Sequence, residues 1–126
     1  MRLSHAFLLG LTLLVLPAAS GAQDQPRTIE ITLSNFDFTP NHIQLRAGEP
    51  VVLHLVNSAH GGHNFAAPEF FAAASGVSGP VTDGKVELHG AQSVDIHVTP
   101  AHGHYRLRCT HTMHTAFGMS GEIDVE

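Results

Sequence analysis

Cys109-Thr110-His111-Thr112-Met113-His114-Thr115-Ala116-Phe117-Gly118-Met119-Ser120-Gly121 is the stretch on which the reading of this chain turns. It begins where residues 103–109 alternate, with Tyr105, Leu107 and Cys109 on one face, and it runs into residues 121–126, where Ile123 and Val125 alternate in the same way. Period-two alternation marks a strand with one buried face. A loop between two such strands draws a thiol, one or more imidazoles and a thioether toward one point.

Outward from that loop the same pattern recurs. Residues 28–34 place Ile29, Ile31 and Leu33 on one face, and residues 42–47 place Ile43 and Leu45. After the turn Ala47-Gly48-Glu49-Pro50, residues 51–57 alternate Val51, Leu53 and Leu55, and residues 85–89 and 93–99 add two more segments. About seven short strands punctuated by Gly and Pro predict an all-β Greek-key sandwich, in which the inward residues of two sheets share one core. The exception is residues 66–84. There Pro68-Glu69-Phe70-Phe71-Ala72-Ala73-Ala74 predicts one short helix outside the sheets, with Pro in its first turn and Gly76 soon after its end, packing Phe70 or Phe71 on the sandwich.

The 126 residues allow one domain of ordinary size. Met1-Arg2, the apolar run from Ala6 to Leu16 and the small residues leading to Ala22 read as a secretory signal peptide over residues 1–22. The run is about half of the ~20 residues that a spanning helix needs, which disfavours a membrane anchor. No Cys follows it to carry a lipid, so no anchor is expected once the leader is removed. Residues 23–126 are then the folded, exported domain: periplasmic in a Gram-negative bacterium, secreted otherwise.

A formal net charge of −5, with the few Lys and Arg dispersed, argues against nucleic acid, which requires clustered positive charge. The single cysteine is more telling. Cys109 cannot close an internal disulfide, and a lone thiol in an oxidising compartment needs burial, catalysis or a metal to protect it. Ten of the eleven histidines follow the leader, His5 being the exception.

Thiolate and thioether favour copper, and imidazole suits both of its common oxidation states; two His and one Cys with a weak axial Met form the blue-copper donor set. Within the loop, His111 and His114 compete as the imidazole, and Met113 and Met119 as the thioether. The second imidazole is expected from another part of the sandwich. His63, in His60-Gly61-Gly62-His63-Asn64-Phe65 after the strand over 51–57, is the candidate.

These residues resemble the cupredoxins: an early His-Asn pair, then Cys-x4-His-x4-Met feeding the final strand. The loop spacing is similar to that of rusticyanin and the phytocyanins. The resemblance covers nearly all of residues 28–126 and implies His63, Cys109 and His114 as strong ligands of one copper ion, cycling between Cu(I) and Cu(II), with Met119 as the long axial ligand. It also implies that Asn64 ties the two ligand loops together and supports the thiolate by hydrogen bonding. The chain departs from the family pattern with Thr112-Met113 where Pro-Gly often precedes the loop His, and with His111, an alternative ligand or a neighbour of the ligands.

His42, His54, His89 and His97 fall on the outward register of their strands and read as surface residues. His60, His102 and His104 read as loop histidines that would flank the ligand end. Phe65 and Phe117 are candidates for shielding a metal or meeting a partner, with core packing as the plainer role. The function expected is one-electron transfer, as a monomer serving a redox partner protein. A periplasmic copper carrier or copper-resistance protein, exchanging the ion with a donor or acceptor, is the alternative. An enzyme ranks last: no acidic orienter or oxyanion loop accompanies the Cys and His.

Overall fold

In a computed structural model, which describes residues 13–18, 25–112 and 116–126, the alternating segments pair into two five-stranded sheets. The strands are β1 (Arg27–Ser34), β2 (Asp37–Thr39), β3 (His42–Leu45), β4 (Val51–Asn57), β5 (His63–Ala66), β6 (Ser75–Ser78), β7 (Lys85–Leu88), β8 (Ser93–Thr99), β9 (Gly103–Arg108) and β10 (Ser120–Val125), with helix α1 (Pro68–Ala73) between β5 and β6. One sheet runs β2-β1-β4-β8-β6 and the other β3-β10-β9-β5-β7. The chain passes repeatedly from one sheet to the other, so strands distant in sequence become neighbours: β1 lies parallel to β4, and β3 parallel to β10. The leader expected over 1–22 lies outside the described residues except for 13–18, which form no helix or strand. Among the described residues no helix is long and apolar enough to cross a membrane.

Among the described residues the strands number ten, not about seven. The three additions each lack the signal that identified the others. β2 has three residues, too few to show a period. All four residues of β5 are buried and all four of β6 exposed, so neither alternates. β6 also places an edge strand in the stretch where only a helix was expected.

The inward positions do as the pattern requires. Ile31, Leu33, Leu53, Leu55, Ile96 and Ile123 are essentially excluded from solvent, and together with Phe38, Phe65 and Leu107 they fill the space between the sheets. Truncating one such side chain to Ala typically costs about 2–5 kcal/mol. α1 starts at Pro68, whose fixed φ suits a first turn, and Ala74 closes it with an N–H donated to the Phe70 carbonyl. Both Phe70 and Phe71 are buried; Phe70 meets Tyr105 edge-on at 5.6 Å and Phe71 meets Phe65 at 6.1 Å. The helix thus braces the sheet that carries Cys109.

Candidate metal centre

Cys109 and Met119 follow and precede paired strands. β9 and β10 are antiparallel with Arg108 opposite Ser120, which sets Cys109 opposite Met119; the Cys109 N–H donates to the Met119 carbonyl at 3.1 Å. Both side chains take the inward register, Cys109 continuing from Leu107 and Met119 leading to Ile123, and both are fully buried. Gly118, at φ +89°, supplies the left-handed turn that delivers Met119 to its strand.

The third residue arrives from the neighbouring strand. β5 lies beside β9, and its first residue, His63, is 1% exposed with Nδ1 3.9 Å from Cys109 Sγ. A thiolate and an imidazole bound to one tetrahedral or trigonal ion at ~2.3 and ~2.0 Å stand roughly 3.5–3.8 Å apart, so this pair fits a shared metal with almost no rearrangement. On its other edge His63 Nε2 faces Asn35 Oδ1 at 3.3 Å. A proton on Nε2, donated to Asn35, leaves the Nδ1 lone pair directed at the thiol side, the usual orienting contact of a metal-bound imidazole.

Asn64 connects the pieces. Its backbone N–H donates to Cys109 Sγ at 3.4 Å, which ties the sulfur to β5. Its side-chain amide donates to Thr110 Oγ1 at 2.7 Å and Glu87 Oε1 at 2.8 Å, while its Oδ1 accepts the Thr110 N–H at 2.8 Å. Glu87 in turn accepts from His111 Nε2 at 2.8 Å. Partial burial pushes the Glu87 carboxyl up, but the hydrogen bonds from His111 and Asn64 outweigh it and hold the group below its ordinary value. His111 is therefore turned toward Glu87, with its ring stacked on His63 at a centroid distance of 6.5 Å.

The structure thus brings His63, Asn64, Cys109 and Met119 together with His111 alongside. His114 and Met113 lie outside the described residues. Four supporting residues were not singled out from sequence: Asn35, Asn57, Glu87 and Thr110. Asn57 left a trace there, since it occupies the inward register after Val51, Leu53 and Leu55, where an apolar residue is expected. It is buried because its side chain has backbone partners, donating to the carbonyls of Gly61 and His89 at 2.9 Å and accepting the Ala59 N–H at 3.0 Å. Those bonds shape the loop that leads into His63. Of the two aromatic candidates, Phe65 belongs to the core beneath His63, whereas Phe117 is 61% exposed and packs on Phe36 at 5.0 Å. His102 and His104 sit at the far end of β9 from Cys109 and do not flank the ligand end.

A family model described as a cupredoxin-like domain matches residues 5–125. No curated protein sequence matches the chain. Among solved structures, the fold is similar to that of dithionite-reduced auracyanin from the photosynthetic bacterium Roseiflexus castenholzii, at 23% identity and a TM-score of 0.61 over 79% of this chain and 96% of that one. It is also similar to auracyanin A, a "blue" copper protein from Chloroflexus aurantiacus, at 21% identity and a TM-score of 0.60 over 81% of this chain and 100% of that one. A third likeness, to the McoA multicopper oxidase of Aquifex aeolicus, has 19% identity and a TM-score of 0.62, covering 82% of this chain but 30% of the oxidase.

Proposed function

Because this chain belongs to the cupredoxin-like domain family, we propose that it is an exported protein that holds one copper ion with His63, Cys109, His114 and Met119 and carries single electrons. The observation that carries this reading is the buried Cys109 thiol with His63 Nδ1 at 3.9 Å and the Asn64 amide on its sulfur. The auracyanins of similar fold include one described as a "blue" copper protein. Copper, when bound, would supply a one-electron couple between Cu(I) and Cu(II).

The chain's own residues suit that couple. Asn64 stabilises negative charge on Cys109, Asn35 fixes the His63 ring, and the β9–β10 pairing fixes Met119 opposite the thiol, so little has to move when charge changes. Burial of His63, Cys109 and Met119 shields their donor atoms from solvent, which suits a carrier of electrons. Phe36 and Phe117, both exposed and in contact, offer an apolar contact surface for a redox partner protein. Export follows from the leader over 1–22, with the periplasm as destination in a Gram-negative cell and the medium otherwise.

A second reading, a carrier that hands its copper to an acceptor, draws on His111: its partly exposed ring stacks on the buried His63 and would serve as an entry ligand. Addition of Cu(II) to the purified protein separates the two. Electron transfer predicts an intense thiolate-to-copper absorption band that Cys109→Ser abolishes; a colourless Cu(I) complex that gives up its metal to an acceptor supports the carrier. Loss of the band in His111→Ala with retention in His114→Ala would overturn the ligand assignment.

A further inference from the structure

We infer that the outer face of the second sheet carries a separate metal site, built from His42, His104, Asp124 and Glu122, for a divalent borderline-soft cation such as Zn(II) or Cu(II). The site follows from strand order and register. β10 lies between β3 and β9, with His42 opposite Glu122 and His104 opposite Asp124. Residues 42, 104, 122 and 124 all occupy the outward register, so three adjacent strands converge two imidazoles and two carboxylates on one patch. One ligand atom from each of His42, Glu122 and Asp124 lies within 4.8 Å of the others. Asp124 lies at the centre, with Oδ2 against His42 Nε2 and Oδ1 against His104 Nδ1.

Ion pairing alone leaves this arrangement incompletely satisfied. Asp124 Oδ1 is shielded from solvent and meets only the His104 nitrogen, in a contact that lacks regular hydrogen-bond geometry. When the two rings are neutral they present lone pairs, not positive charge. Two neutral nitrogens and two carboxylates then form a donor set of charge −2, complementary to a divalent ion. Imidazole with carboxylate suits Zn(II) and Cu(II), whereas the softer Cu(I) prefers thiolate and thioether. The His42 and His104 side chains are 48% and 84% exposed, so rotation of unpacked rings is enough to exchange the direct contacts for metal–ligand bonds of about 2.0–2.2 Å. Arg106, opposite Glu122, is the positive neighbour that such an ion has to tolerate, and among the described residues no ion pair joins the two. Asp124 lies five positions along the chain from Met119, about 16 Å in a strand, so the two centres share no ligand.

The different metal preferences of the two centres make the inference testable. The protein is first given one equivalent of Cu(I) under reducing conditions, then titrated with Zn(II) by calorimetry at neutral pH. One further equivalent of Zn(II) is expected to bind. The His42→Ala/His104→Ala double variant should abolish that event, and Asp124→Asn should weaken it at least tenfold, with circular dichroism unchanged because all three side chains lie outside the core. Absence of a Zn(II) event in the parent protein, or its survival in the double variant, overturns the inference. Since the readout depends on residues 42, 104 and 124, it stands or fails independently of any result at Cys109.

Discussion

Asn64 illustrates how much one side chain can hold. Its amide bridges Thr110 on the Cys109 loop and Glu87 on β7, while its own N–H rests on the thiol sulfur. Replacement by Ala keeps the backbone contact to sulfur but removes three hydrogen bonds, to the Thr110 N–H, the Thr110 hydroxyl and the Glu87 carboxylate, that the buried Asn64 side chain makes with these more exposed residues. A loss of about 1–3 kcal/mol is expected, read as a lower urea midpoint, with retained but broadened Cu(II) absorption as the loop carrying Cys109 loosens. An unchanged midpoint would show that Thr110 and Glu87 do not depend on it. At this scale the sequence was informative where chemistry is local: Cys109, Met119 and the His63-Asn64 pair stand out by residue type and spacing. Glu87, Thr110 and Asn35 do not, because each acts on a residue at least 23 positions away and nothing in its own neighbourhood signals the contact.

Among the elements, the loop over 58–62 decides where His63 sits. The Asn57 amide pins it from below, the Ala91 N–H donates to the Ala59 carbonyl, and Gly90 lies against it so closely that a Cβ there would fall 2.0 Å from the His60 carbonyl oxygen. Backbone cannot yield as a flexible side-chain tip does, so Gly90→Ala should push the loop outward. The expected cost is about 1–3 kcal/mol, measured as a lower melting temperature, together with weakened metal binding as His63 moves from Cys109. Full retention of both would mean that the loop has slack not apparent in its contacts. The regular strands and α1 were legible because each hides one face and shows the other. β5, which begins with His63, was not. A strand buried on both faces has no alternation to display, and its pairing with β7 and β9 is set by residues far along the chain.

For the whole molecule, Asp124 couples stability to pH. The hydrogen bond from His42 holds its carboxyl below the ordinary 3.8, with desolvation opposing and the charge of His104 assisting. The unfolded chain therefore takes up this proton at a higher pH than the native chain does. The stabilisation is fully present above 3.8 and is lost as pH falls through the lower native value. Asp124→Asn should accordingly lower the urea midpoint at pH 6 and have progressively less effect as the solution is acidified below pH 4; an equal loss at every pH would contradict the linkage.

The position of β10 has a further consequence, for the order of events in folding. This strand, the last of those described, is not an edge: it fills the gap between β3 and β9, closing sequence separations of up to 82 residues, as between His42 and Asp124. Sheets assembled from such distant partners form slowly, on a scale of about milliseconds to seconds, because loop entropy is lost before contacts compensate for it. Until β10 inserts, Met119 has no fixed place opposite Cys109, and the thiol stays open to any oxidant around it. Early capture of a metal by His63 and Cys109 would cover that sulfur before the sheet is complete, so the ion would guard the chain's one reactive atom during the interval in which the fold cannot yet do so.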